Sequence, residues 1–307
     1  MESKKLRSHW YIVCNPTSGG GISNRSLKRI LNYFKKFNLS YEIVITQYAH
    51  HEEILVHEAI EKGHLNFVCI GGDGTIHHMI NGIMKQTLVE PKKITLAAIP
   101  KGTGNDWVKN YNIPKSEEKA VELIFTNKRI TQDIGKITLL KSNKVFFFNN
   151  AAGIGFDAHV VKNIEKYRKW KKLAYLFGGL TSFASFKNCE LEYTLDSLAQ
   201  KNEIFMINVG LCKYSGGGMQ LTDYSNHQQG IFDLTVIKSI LFSRIIRNLN
   251  NLYNGKIAEI KEVHCRKAKR VQILKNKDHY IQADGELLGK GSALFEIIPS
   301  SIQFIVL

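Results

Sequence analysis

The chain is poor in cysteine and holds none of it in pairs. Five residues, Cys14, Cys69, Cys189, Cys212 and Cys265, are scattered singly along 307 positions. An odd count without Cys-x-x-Cys spacing argues against a disulfide framework or a zinc site. Cys14 and Cys69 sit inside apolar runs and read as reduced core residues. No stretch approaches the ~18 consecutive apolar residues of a membrane-spanning helix. The opening Met-Glu-Ser-Lys-Lys-Leu-Arg has no apolar region of the secretory type, so the expectation is a soluble, cytoplasmic protein. Internal repeats and low-complexity linkers are missing too. Acidic residues are in deficit, 27 against 42 Lys plus Arg, which leaves +15 with His neutral. That imbalance favours an anionic partner (nucleotide, nucleic acid or an acidic membrane surface) without choosing among them. With 44% hydrophobic and 22% charged residues, a mostly disordered chain is excluded.

The residues that are present fall into two halves. Up to about position 129, short apolar runs alternate with helical patterns. Strand signals cover Trp10 to Cys14, Tyr41 to Thr46, Phe67 to Ile70 and Thr95 to Ile99, and helix signals cover Ser26 to Phe37, Glu52 to Lys62 and roughly 76–85. Such alternation predicts βαβ units and a mainly parallel sheet. Beyond 129, many short segments with period-two alternation predict an antiparallel β-rich domain, interrupted by helices near 157–187 and 241–254. The expected division is therefore 1–129 and 130–307.

Three glycine-rich segments each follow a predicted strand of the first half. They are Asn15-Pro16-Thr17-Ser18-Gly19, Gly71-Gly72-Asp73-Gly74-Thr75 and Pro100-Lys101-Gly102-Thr103-Gly104-Asn105-Asp106. Loops at the carboxyl ends of parallel strands line one crevice. Glycines there let backbone N–H groups approach phosphate oxygens, and the following helix N-terminus favours an anion. One such loop alone is ordinary turn geometry; three in succession, two with polar sets beyond a turn's needs, point to phosphate. No segment reads Gly-x-x-x-x-Gly-Lys-Ser/Thr, and no Gly-x-Gly-x-x-Gly with a later acid opens the first βα turn. The P-loop reading is excluded and the dinucleotide reading is weak.

These three segments resemble the nucleotide-binding motifs of the diacylglycerol kinase catalytic family, whose relatives include sphingosine and ceramide kinases. The likeness continues through Asn150-Ala151-Ala152-Gly153-Ile154-Gly155-Phe156-Asp157-Ala158, Gly216-Gly217-Gly218-Met219 and Asp284-Gly285-Glu286. Gly-Gly-Asp-Gly-Thr alone is shared with NAD kinases and phosphofructokinases; the ordered set is far more specific. The resemblance implies an α/β, Rossmann-like N-terminal domain, a β-sandwich C-terminal domain and an active site in the cleft between them. It implies ATP contacts from Asn15, Pro16, Thr17, Ser18, Gly19, Thr46, Gly71, Gly72, Asp73, Gly74, Thr75, His77, Thr103 and Asn105. Asp73 is expected to help hold Mg²⁺, and Glu286 to be the general base beside Asp284. In an extended segment Asp284 and Glu286 would point to one side, ~6–7 Å apart; the alternative for this segment is a solvated β-turn between two strands, for which Asp-Gly is a favoured sequence. The activity implied is ATP- and Mg²⁺-dependent phosphorylation of a membrane-lipid hydroxyl, with diacylglycerol the favoured acceptor, by an enzyme peripheral to the inner face of the membrane. An NAD-type kinase and a non-catalytic nucleotide-binding module at the membrane are the alternatives. A homodimer is left open.

The sequence also departs from the family. Where the family carries Asn-Glu after its Gly-Gly-Asp-Gly-Thr loop, this chain has His77 and His78, which point to different sides of a helix. Gln229 stands where an acid ligates a structural Mg²⁺ in some bacterial members, so that second site is not expected, although Asp223 lies nearby. His50, His51 and His57 read as solvated helix histidines without an acidic partner. The basic and aromatic run Lys166-Tyr167-Arg168-Lys169-Trp170-Lys171-Lys172 suits anionic lipid at the headgroup level, or single-stranded nucleic acid, or a plain solvated helix. Lipid, rather than nucleic acid, is taken as the partner.

Overall fold

In a computed structural model, residues 9–166, 182–183, 185–222, 229–276 and 279–307 are described. The chain divides into two compact units, Met1–Gln132 with Ser300–Leu307, and Asp133–Pro299.

The first unit holds strands β1 (Trp10–Cys14), β2 (Tyr41–Ile45), β3 (Asn66–Gly71) and β4 (Thr95–Pro100). Helices α1 (Asn24–Lys36), α2 (His51–Glu61), α3 (Asp73–Lys85), α4 (Asp106–Asn110) and α5 (Glu117–Thr126) connect and follow them. All four strands run parallel, in the order β4–β3–β1–β2. Every residue of β1 and β4 is buried, as the near-continuous apolar runs demand of a sheet covered on both faces. Helix α1 begins where Ser23 accepts the Ser26 N–H at 3.1 Å and buries Ile30 and Phe34. The register sets Cys14 beside Ile70, Ile70 beside Ile99 and Gly71 beside Pro100. Three glycine-rich loops therefore leave the sheet at one level. The chain order reverses between β1 and β3, the switch point at which open α/β sheets bind ligands.

Ile302 to Leu307, assigned by pattern to the second domain, returns to the first unit. The end of β17 (Ala293–Ile305) runs parallel to β4, pairing Gln303 with Thr95 and Phe304 with Leu96. The Phe304 ring packs against Trp107, centroids 4.8 Å apart. Period-two alternation marks a strand but not its neighbour, which is why sequence placed this one by chain position alone.

The second unit is antiparallel. Its strands are β5 (Arg129–Leu139, which begins in the first unit), β6 (Lys144–Phe148), β7 (Ala151–Gly155), β8 (Cys189–Leu195), β9 (Leu198–Gly210), the short pair β10 (Tyr214–Ser215) and β11 (Met219–Gln220), β12 (Phe232–Lys238), β13 (Val263–Ala268), β14 (Arg270–Lys275), β15 (Tyr280–Ala283), β16 (Glu286–Lys290) and the start of β17. The thirteen-residue β9 is the hub, paired with β7, β8 and β12. Phe205 and Met206 of β9 pack with Leu221, Ile237, Ile257, Ile260 and Val263 in one apolar cluster. Helix α6 (Phe156–Lys166) leaves directly from β7. The run from Tyr167 to Lys172 lies outside the described residues, as do the Lys166 side chain and Asp223.

Candidate functional site

The glycines of the first unit are where the loops touch one another. Gly19 has φ +62°, and a Cβ there would run into the carbonyl oxygen of Lys101, so the first loop lies directly on the third. A Cβ on Gly72 would stand 2.8 Å from the Cα of Gly102, so the second and third loops meet backbone to backbone. Neither approach tolerates a side chain. Polar side chains complete the assembly. Asn15 Nδ2 donates to Thr75 Oγ1 at 3.1 Å, and Asn15 Oδ1 accepts from Thr17 N–H at 3.1 Å and Thr17 Oγ1 at 2.9 Å. Ser18 Oγ stands 3.4 Å from Thr75 Oγ1. Thr46, buried just after β2, donates its N–H to Cys14 O at 3.0 Å. Asp73 opens α3, and its Oδ2 accepts the Asp106 N–H at 2.7 Å, which holds the acid to the start of α4. Asn105 caps α4 at φ +51° and donates Nδ2 to Gly102 O at 2.7 Å; Thr103 is exposed beside it. His77 is buried, with Nε2 3.3 Å from Asn81 Nδ2.

Two carboxylates that pattern reading passed over belong to this assembly. Glu52, in the first turn of α2, is 2% exposed; its Oε1 accepts from Asn15 Nδ2 at 3.1 Å, and its Oε2 is buried without a hydrogen-bond partner among the described residues. Burial, with the Glu52 and Asp73 charges adding to it, pushes the Cys69 thiol well above its usual range. Glu117, at the start of α5, gathers Ser26 Oγ at 2.6 Å, Arg29 Nε at 2.8 Å and the Lys101 ammonium of the third loop. The Arg29 hydrogen bond, with those of Lys101 and Ser26, overcomes burial and holds the Glu117 carboxyl down to about 2. Neither acid has a local motif; each is visible only once α1, α2 and the loops are folded.

The acidic segment of the second unit is a turn. Ala283 pairs with Glu286, and the two residues between them, Asp284 (φ +50°) and Gly285 (φ +88°), are both left-handed. This is the two-residue hairpin that Asp-Gly favours, so the turn alternative holds in place of the extended segment. The Asp284 carboxylate accepts three backbone N–H groups: Asn149 at 3.0 Å, Asn150 at 3.0 Å and Ala151 at 3.1 Å. Asp284 N–H donates back to Ala151 O at 2.8 Å. Asp284 thus fixes the turn onto the start of β7, while Glu286 is half-buried at the first position of β16. Behind the turn, Gly285 N–H donates to Gln282 Oε1 at 3.0 Å, and Gln282 Nε2 donates to Asp157 Oδ2 at 2.9 Å. Burial raises the Asp157 carboxyl to about 6, against the opposing hydrogen bonds of Gln282 and the backbone.

Comparison with known proteins bears on both units. Residues 9–137 match the family model for the diacylglycerol kinase catalytic domain. Residues 150–306 match that for the YegS C-terminal NAD kinase beta sandwich-like domain. The chain is 26% identical to a diacylglycerol kinase of Staphylococcus carnosus over 97% of its own length and 95% of the relative's. It is 27% identical to one of Bacillus subtilis, over 91% and 89% respectively. A crystal structure of a diacylglycerol kinase from Bacillus anthracis shares the fold, with a TM-score of 0.75 at 21% identity, covering 99% of this chain and 98% of that one.

Proposed function

We propose, from the premise that this chain belongs to the diacylglycerol kinase catalytic family, that it transfers the γ-phosphoryl group of ATP to a hydroxyl of a membrane lipid, diacylglycerol being the acceptor favoured. The observation that carries the reading is the glycine contact of three loops at the sheet's switch point, with Asn15, Thr75 and Asp73 gathered around it. Phosphoryl transfer asks little covalent chemistry of a protein; it asks for phosphate binding, alignment and a place for the hydroxyl proton. Backbone groups of the Gly19, Gly72 and Gly102 loops take the phosphates, and Ser18, Thr17 and Thr103 supply hydroxyls. Thr46, Asn105 and His77 are assigned contacts with the nucleotide.

The donor set fits Mg²⁺. Asp73 and Thr75 offer the hard oxygens that this ion takes, and the orphaned Oε2 of Glu52 is a buried acceptor in the same assembly. Asp73 would hold the ion, which when bound offsets negative charge on the phosphates. Glu286 accepts the proton as the lipid oxygen bonds to phosphorus and the bond to the departing ADP oxygen breaks. Asp284, committed to three backbone N–H groups, positions the turn that carries Glu286.

Action at an anionic membrane surface, on the cytoplasmic side, is part of the proposal. It is supported by the +15 charge, and by exposed Leu241, Ile246 and Tyr253 on and before the short helices Phe242–Arg247 and Leu249–Tyr253, the first of which also carries Arg244 and Arg247. Among the described residues no helix is long and apolar enough to cross a membrane. The test is radiolabelled ATP with Mg²⁺ and an acceptor panel of diacylglycerol, sphingoid base, ceramide and NAD⁺. Label in phosphatidic acid supports the reading. Label only in NADP⁺ or in no product overturns it.

A further inference from the structure

A side-chain cluster on α2 and α3 is unused by the nucleotide chemistry. His50 precedes α2 in the left-handed conformation, φ +64°, Glu53 lies in the helix's first turn, and His78 lies in α3. His50 Nδ1 and His78 Nδ1 are 3.3 Å apart, and His78 Nδ1 is 3.5 Å from Glu53 Oε1. One candidate ligand atom from each residue lies within 4.8 Å of the other two. The reading of His50 as a histidine without an acidic partner is thereby corrected, since the acid lies three residues on, in the first turn of α2, and the second imidazole comes from a different helix.

We propose that His50, Glu53 and His78 form a binding site for a divalent transition metal of the zinc class, bridging α2 and α3. The spacing is that of a ligand set. Donors about 2.05 Å from a tetrahedral ion stand ~3.3 Å from one another, which both the nitrogen pair and the nitrogen–oxygen pair approach. The donor chemistry selects the ion: two imidazoles and one carboxylate suit zinc, cobalt or nickel, whereas Mg²⁺ and Ca²⁺ take oxygen. An outer hydrogen bond is in place as well. Lys85 Nζ donates to Glu53 Oε2 at 2.6 Å, which leaves Oε1 toward His78, as ligating carboxylates are commonly held. His50 is exposed, while the His78 and Glu53 side chains are 12% and 26% exposed, so one side is open for water as a fourth ligand. The absence of paired cysteines, which argued against zinc, does not bear on a histidine-based site.

A bound ion would tie the first turn of α2, where Glu52 meets Asn15, to α3, which opens at Asp73. The site stands apart from the kinase reading, because its test measures metal uptake and not turnover. The full-length protein is stripped with chelator, titrated with Co²⁺ as a visible probe, then challenged with Zn²⁺. The expected result is a ligand-field band of tetrahedral intensity, saturating at one equivalent and displaced by Zn²⁺, with a rise in Tm on Zn²⁺ addition. His78→Gln and His50→Asn (asparagine tolerates the left-handed backbone) should each weaken uptake at least ~10-fold. His57→Gln, whose partner Glu61 is on its own helix, should bind as the parent does. Metal-free melting curves of each variant confirm that it is folded. No band, or equal affinity in the parent, His50→Asn and His78→Gln, or an equal loss in His57→Gln, overturns the site.

Discussion

Replacing Asp284 with Asn tests whether this carboxylate is a positioning group rather than the proton acceptor. The substitution keeps the shape and suits the left-handed backbone at φ +50°. The native carboxylate accepts two N–H groups on Oδ1, from Asn150 and Ala151, and one on Oδ2, from Asn149. Asparagine has a single acceptor oxygen. Turned to keep the Oδ1 pair, it presents its NH₂ to the Asn149 N–H, and the two remaining bonds lose their charge assistance. Hydrogen bonds to charged groups contribute about 1.5–3 kcal/mol against about 1 for neutral ones. With Asp284 half-buried, the sum is about 2–3 kcal/mol at the turn. Hydrogen exchange reads this directly: the amides of 149–151 should exchange roughly 30–150-fold faster, since each ~1.4 kcal/mol is tenfold. The urea midpoint should fall in parallel. Glu286→Gln, half-buried at a strand start, should stay within ~0.5 kcal/mol of the parent. Unchanged protection of 149–151 in a folded Asp284→Asn variant would refute the positioning role.

Three further outcomes follow from the same geometry. Asp73→Ala should lower phosphoryl transfer by at least ~10²-fold, the scale of a lost electrostatic contact at the phosphates, and near-parental turnover in a folded variant removes Asp73 from the mechanism. Glu117 has a depressed carboxyl, so its stabilisation is present above pH ~4.5 and disappears as pH falls through about 2. Allowing for the exposure of Arg29, Glu117→Gln should cost about 1–2 kcal/mol at pH 7 and much less near pH 2, read by urea unfolding. Asp157 has the opposite sign: its raised carboxyl favours the folded state below about 6, so stability declines as pH rises from ~4 to ~6. Asp157→Asn should flatten that decline, by up to about 3 kcal/mol across the window, and an unaltered pH profile would show the acid is not desolvated.

How far the sequence could be read depended on the range of the interaction. Loops defined by glycine and short polar spacing were legible, because close backbone approach and left-handed turns demand particular residues at particular places. The parallel strands of the first unit were legible for a similar reason, since burial on both faces writes itself as continuous apolar runs. What escaped was pairing at a distance. Nothing near Glu52 announces Asn15, nothing near Glu117 announces Lys101 and Arg29, and His50 finds His78 only when α2 lies on α3. The return of Gln303 and Phe304 to β4 is the same kind of event. The acidic turn was half legible: Asp-Gly carried its hairpin, but the three backbone partners of Asp284 come from a segment more than 130 residues away.

The central claim is tested most directly by following the γ-phosphoryl label of ATP into a solvent-extractable lipid, with the parent protein and Glu286→Gln side by side on diacylglycerol-containing anionic vesicles. The account predicts labelled phosphatidic acid from the parent, and a ~10²–10⁴-fold loss in the variant with nucleotide affinity largely intact. Label that stays in the aqueous phase with the parent protein, or equal lipid labelling by both proteins, would contradict it.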